Sequence, residues 1–142
     1  MFSKEESRNL RELFWTSFGK SFPRRWILYN TKIKGFSFKF QFDNQSAMVV
    51  LDLEDDLENR IKYWERLQSM KTVIQESYLP TAIFEEQYFL ENGKEISRIY
   101  VELDEKVSIH NKNSWRSVME FFKETMPKFE EFFLDFEDFL KS

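Results

Sequence analysis

The chain has 142 residues, 42% of them hydrophobic and 32% charged, with a formal net charge of −4: the composition of one globular domain able to bury a core without staples. It contains no Cys and a single His, which excludes disulfides, thiolate chemistry and a His-based triad or metal site, and makes a reducing, cytoplasmic setting the simplest expectation. With three Gly and no GxGxxG or GxxxxGK pattern, phosphate-cradling loops are excluded too, and no cofactor is expected.

The first residues, Met1 to Glu6, place acids where a signal peptide needs an apolar run. No stretch approaches the roughly 18 uninterrupted apolar residues of a membrane span, so neither export nor insertion is expected. Ser3 with Glu6 is a capping-box pattern, and Leu10, Phe14 and Phe18 follow at four-residue spacing. This predicts a helix over residues 4–19, stopped by Gly19 and Pro23. Phe36, Phe38, Phe40 and Phe42 then alternate with Ser37, Lys39 and Gln41, the period of a half-buried strand with Phe along one face. Asp43-Asn44-Gln45-Ser46 supplies turn chemistry, and residues 48–53 read as a strand returning antiparallel. Asp55 and Asp56 put negative charge at a helix start. Apolar residues from Leu57 to Tyr78 recur at three- and four-residue steps, predicting one helix that ends near Pro80.

Residues 82–90 and 95–103 flank Asn92-Gly93, the pair favoured by a two-residue type I′ turn, in which both central positions need positive φ. With that loop Phe84 faces Val101, Glu86 faces Ile99 and Tyr88 faces Ser97 on a mostly apolar side. The other side carries Glu85, Gln87, Arg98, Tyr100 and Glu102, a polar cluster of mixed charge around an aromatic. Trp115, Met119, Phe122, Met126, Phe129, Phe133, Phe136 and Leu140 form a heptad-like seam that keeps its phase across Pro127, so a kink is expected there and not a loop. The order is α-β-β-α-β-β-α. It predicts a single α+β domain over residues 1–142, with an antiparallel sheet of about four strands, in two hairpins, packed against helices.

Several segments resemble an uncharacterised bacterial family, domain of unknown function 4268. They are Phe14-Trp15, the run from Trp26 to Gly35, Ile96 to Tyr100 with Glu102-Leu103, and Val107-Ser108-Ile109 with Asn111 and Trp115. The likeness covers about residues 12–134. It implies a domain that occurs alone or behind a restriction-endonuclease-type nuclease domain, with no activity assigned to it. This chain shows no such front domain, so a nuclease role does not carry over.

Three surfaces are candidates for function. A metal-dependent nuclease needs an Asp on one strand and an acidic-x-Lys pair on the next, for which Asp52 or Glu54 with Asp104-Glu105-Lys106 are the candidates; charge at a strand end and a helix start explains the same acids without catalysis, and no catalytic or metal residue is assigned. Residues 1–47 carry nine Lys/Arg against four Asp/Glu (+5), leaving twelve against twenty-one (−9) for the rest. Arg24, Arg25, Lys32, Lys34 and Lys39, interleaved with Trp26 and Tyr29, are the candidate nucleic-acid contacts, against which stands the overall pI of about 5.2. The third is a protein-interaction surface drawn from Glu85, Gln87, Arg98 and Tyr100 on the hairpin and from Phe129 and Phe136 on the last helix. The favoured expectation is a non-enzymatic accessory or interaction module whose partner is a second copy or an unidentified protein, with a nucleic-acid-associated module as the alternative.

Overall fold

The computed structural model describes residues 2–142. The capping box closes at the start of α1 (Lys4–Ser21): the Ser3 hydroxyl accepts from the Glu6 N–H at 3.1 Å, and the Glu6 carboxylate accepts from the Ser3 N–H at 3.2 Å. The helix passes Gly19 and stops before Pro23, since proline offers no N–H to continue the ladder. Strands β1 (Phe36–Phe42) and β2 (Ala47–Leu53) pair antiparallel from Phe36–Leu53 to Phe42–Ala47. The loop between them is fixed by Asp43, whose Oδ1 accepts from the backbone N–H of Gln45 and Ser46, each at 2.8 Å.

The helix expected between Leu57 and Pro80 is two helices, α2 (Leu57–Ser69) and α3 (Lys71–Ser77), broken at Met70. The Ser69 hydroxyl donates to the Arg66 carbonyl at 2.6 Å, taking the acceptor an unbroken helix would give Met70, whose N–H bonds Leu67 instead. The last helical region also divides. Helix α4 (Trp115–Asp135), led in by a 3-10 turn at Lys112–Ser114, runs through Pro127 and breaks at Phe136 before the short α5 (Glu137–Lys141). Arg66 on α2 donates to the Leu140 carbonyl at 2.7 Å and ties down this end.

Strands β3 (Ile83–Phe89) and β4 (Glu95–Glu102) form the second hairpin, and the sheet order is β1-β2-β4-β3, antiparallel throughout. Its register differs from the expected one. Of Asn92-Gly93 only Gly93 has positive φ (+85°), and its N–H bonds the Leu90 carbonyl at 2.8 Å. The connection is thus a turn closed by a left-handed glycine, with a loop one residue longer than the two-residue turn. Ile83 therefore faces Tyr100, Phe84 faces Ile99 and Glu85 faces Arg98. Beyond Glu85 a bulge places Glu86 and Gln87 opposite Ser97, whose hydroxyl donates to the Glu86 carbonyl at 2.6 Å, and Tyr88 pairs with Ile96.

All ring contacts from helices to sheet fall on one face. Phe38 meets Phe129 and Phe133 of α4 at 6.0 and 5.7 Å, Phe42 meets Phe14 of α1 at 4.8 Å, and Phe84 meets Trp64 of α2 at 5.9 Å. Edge-on and tilted rings fill this layer, and truncating any one fully buried Phe would cost about 3–5 kcal/mol. Between α1 and β1 the chain crosses the β1 edge, where the Leu28 carbonyl accepts from Phe38 N–H at 2.9 Å. Gly35 ends this crossing at φ +74°, and a Cβ there would lie 2.7 Å from the Glu54 carbonyl oxygen. Gly35→Ala is expected to destabilise the fold by about 1–3 kcal/mol. Gly19→Ala, in open space on α1, is expected to stabilise it by about 0.5–1 kcal/mol. Urea unfolding of both variants checks the pair, and equal midpoints would contradict the backbone assignment.

Candidate functional site

The helices occupy one face of the sheet, and the other is built from its own strands. Alternation sends Ser37, Lys39 and Gln41 of β1, Val50 and Asp52 of β2, and Ile96, Arg98 and Tyr100 of β4 to this open face. At its centre Asp52, 0% exposed, lies directly across from Arg98, 3% exposed. Arg98 Nε and Nη2 reach the two Asp52 oxygens at 2.7 and 2.9 Å, a two-pronged pairing. Lys39 Nζ sits 3.2 Å from Asp52 and 3.2 Å from Glu54, and Arg98 Nη1 donates to Gln41 Oε1 at 3.2 Å.

The bulge in β3 brings one more residue here. Tyr88, expected on the apolar side facing Ser97, is instead turned to the open face, where its ring lies 4.3 Å from the Arg98 guanidinium and 5.9 Å from the Tyr100 ring. Tyr100 donates to Glu85 Oε1 at 2.6 Å. Burial, then that hydrogen bond and the charges of Glu85 and Glu102, push the Tyr100 hydroxyl well above the usual tyrosine range.

Burial alone would lower the Lys39 pKa, but the charges and hydrogen bonds of Asp52 and Glu54 outweigh it and hold the ammonium above its ordinary value. For Arg98 the same contest between burial and pairing with Asp52 also ends above the ordinary value. A base whose folded pKa lies above its unfolded one adds stability that is complete below the unfolded value and is lost as pH rises through the folded value. Lys39 therefore contributes fully at neutral pH.

Beside this network lies a basin of about 410 Å³. Tyr88 and Tyr100 give it aromatic walls, and Asp43, Glu91 and Glu102 stand on its rim. Phe89, 64% exposed on the edge strand, pairs with Glu95, which Arg60 of α2 binds, and so lies on the helix side of the sheet. Of these residues only Tyr100 and Glu102 are apparent in sequence as members of the polar hairpin cluster. Tyr88 is hidden by the bulge, while Asp43 and Glu91 come from two different turns.

The other candidates separate. Asp52 is saturated by Arg98 and Lys39, and Asp104 follows β4 six residues along from Arg98, about 20 Å of extended chain. Among the described residues no group of three or more His, Cys, Asp or Glu is arranged to hold a metal ion. Of the basic residues, Arg24 pairs with the buried Glu130 and lies over Trp26 at 4.3 Å, Lys34 lies 3.9 Å from Asp55, and Lys39 belongs to the central network. Arg25 and Lys32 are exposed, with no ion pair among the described residues. Glu130 also accepts from the Ile27 N–H at 2.7 Å, so it fastens the basic segment to α4. Gln87 is exposed within the bulge. Phe129 is fully buried against Phe38 and so is core, not surface, and Phe136 is half-buried against Tyr78 and Phe132.

A family model described as Domain of unknown function (DUF4268) matches residues 10–137 of the chain. No curated protein and no solved structure matches it. No helix among the described residues is long and apolar enough to cross a membrane.

Asp52→Ala strands two cations beside a buried vacancy and is expected to cost about 3–5 kcal/mol, whereas Asp52→Val combined with Arg98→Met is expected to recover most of that loss. Urea unfolding decides, and a double variant no more stable than the single would contradict it. The stability gap between wild type and Lys39→Met is expected to stay constant from neutrality to about pH 10 and to shrink above it. A gap that closes between pH 7 and 9 would be the contrary result.

Proposed function

The chain belongs to the family Domain of unknown function (DUF4268), and from that premise we propose that it is a non-enzymatic protein-interaction module whose recognition surface is the open face of the sheet. The observation that carries the reading is the contrast between floor and wall on that face. The floor is closed chemically: Asp52, Arg98, Lys39 and Glu54 satisfy one another, leaving neither a free acid nor a free base for proton transfer. The wall is open physically, with Ile83 at 45% exposure on an edge strand whose outer side pairs with no other strand. Exposed apolar side chains rimmed by charge are what a protein interface uses as anchors.

Self-association is the second form of this reading, favoured by Leu134 and Phe139, 59% and 45% exposed on either side of the half-buried Phe136. A nucleic-acid-associated role has less support, because three of its five candidate cations are engaged by carboxylates.

A photo-crosslinking amino acid in place of Ile83 is expected to capture protein in cells, while the same group in place of Glu120, on α4, captures none. Equal capture at both positions, or capture of nucleic acid alone at Ile83, would overturn the reading. Light scattering coupled to size exclusion tests the self-associating form. It predicts a dimer that Leu134→Glu converts to monomer, and a monomer in the parent chain at micromolar concentration excludes it.

A further inference from the structure

At the β1 edge of the open face lies a second hollow, of about 320 Å³, lined by Tyr29, Lys32, Lys34, Gly35, Ser37 and Glu54. Ser37 is 7% exposed, and its hydroxyl has no hydrogen-bond partner among the described residues. A hydroxyl withdrawn from water costs free energy until a partner fills its bonding capacity, and this one borders the hollow. Of the charges there, Glu54 is answered by Lys39 at 3.2 Å, whereas Lys32 is exposed with no ion pair among the described residues. Lys34 reaches Asp55 only at 3.9 Å with its side chain almost fully in water, which leaves its ammonium available. Asp55 does not line the hollow: its Oδ1 accepts from the Asp56 N–H at 2.8 Å and its Oδ2 is sealed from solvent. The hollow thus combines two available cations with an unused, nearly buried donor. The loop that presents them is fixed in advance. Leu28 and Lys32 hold φ of +47° and +62°, a conformation that costs free energy at residues other than glycine and persists only where the surroundings impose it. Buried Thr31 braces it, donating to the Phe36 carbonyl at 2.6 Å and accepting from the Ile33 N–H at 3.2 Å.

We propose that this hollow binds a phosphate monoester carried on a phosphorylated serine or threonine of a protein that docks on the open face. This rests on the interaction reading and adds to it the modification the partner bears. A phosphate monoester brings close to two negative charges and three acceptor oxygens, which match the Lys32 and Lys34 ammonium groups and the Ser37 hydroxyl. A carboxylate, with one charge and two oxygens, leaves one of those groups unanswered. Exposed Tyr29, its ring 5.8 Å from Lys39 Nζ, offers the flanking peptide a flat apolar surface. Because the loop already has its shape, binding costs little ordering. Charge complementarity also separates a peptide from a nucleic acid. A polyanion crossing the open face meets Asp43, Glu91 and Glu102, whereas a peptide with one phosphate places its only anion at the lysines.

The test is a nuclear magnetic resonance titration of the whole chain, following backbone amide shifts, with a short glycine–serine peptide carrying one phosphoserine. Its serine and glutamate counterparts and a 5′-phosphorylated oligothymidylate are titrated alongside. The phosphopeptide is expected to bind and to shift the amides of Lys32, Lys34 and Ser37, and the serine peptide to leave them in place. The glutamate peptide is expected to bind at least about tenfold more weakly, and the oligothymidylate more weakly than the phosphopeptide. Combined Lys32→Asn and Lys34→Gln, the asparagine keeping a residue that tolerates positive φ, is expected to weaken the phosphopeptide by at least about tenfold. Ser37→Ala is expected to weaken it by at least about threefold, both with circular dichroism unchanged. Lys123→Gln, on α4, leaves it as it was. No phosphopeptide binding, equal binding of the glutamate peptide, or an affinity indifferent to the hollow's substitutions would each overturn the proposal. Tighter binding of the oligothymidylate would overturn it in favour of a nucleic acid. If Ile83 crosslinks to protein while the phosphopeptide fails, the interaction reading stands and the phosphorylated partner is wrong. If both fail, the interaction reading falls with it.

Discussion

A sheet covered by helices on one side only must satisfy its other side with its own side chains, and here the pair of Asp52 and Arg98 does so. Both are central-strand residues, directly opposite one another and almost wholly withdrawn from water. Burying two charges costs several kcal/mol each before their attraction is counted, so such a pair holds only with good geometry and with its remaining hydrogen-bonding groups occupied. Both conditions are met: the guanidinium is forked onto the carboxylate, and Gln41 and Lys39 take up what is left. Tyr88 then closes over Arg98 like a lid of the same strand layer. The network fixes the relative positions of β1, β2 and β4, and therefore the shape of everything mounted on that face.

The opposite face is solved by volume. Phe side chains from β1 interleave with those of α1 and α4 at ring separations of 4.8 to 6.0 Å. Dispersion and apolar burial there do not depend on any single polar contact. This division of labour lets the open face carry polarity and exposed aromatics without endangering the fold. The basic segment after α1 joins the same economy: Glu130 takes Arg24 and the Ile27 N–H, so Arg24, a cation that looks free in sequence, is a structural fastener.

Much of this was legible in the residues. The capping box at Ser3, the alternating Phe strand and the seam from Trp115 each carry one strong periodic signal, and each element formed where its signal lies. What escaped lay in details that no periodic pattern of residues reports. The break at Met70 has no Gly or Pro to announce it and comes from the Ser69 hydroxyl taking a backbone acceptor. The hairpin register failed for a related reason. Asn92-Gly93 has the composition of a two-residue turn, but the chain adopts a longer loop with a bulge at Glu86-Gln87, a choice that shifts the pairing and turns Tyr88 to the other face. Arg98, Tyr100 and Glu102 were therefore visible as a polar cluster while the aromatic wall beside them was not. The pairing of Asp52 with Arg98 joins residues of two hairpins, and no local pattern reports such a contact.

The bulge is thus the hinge between fold and proposed function: without it Tyr88 points into the core layer and the basin loses a wall. The most direct measurement is the set of nuclear Overhauser contacts made by the Tyr88 ring. The structure predicts cross-peaks from Tyr88 to the Tyr100 ring, 5.9 Å away between centroids, and to the Arg98 side chain. Cross-peaks from Tyr88 to Ser97 and the core-facing residues instead would mean an unbulged hairpin, and with it the open-face site would be lost.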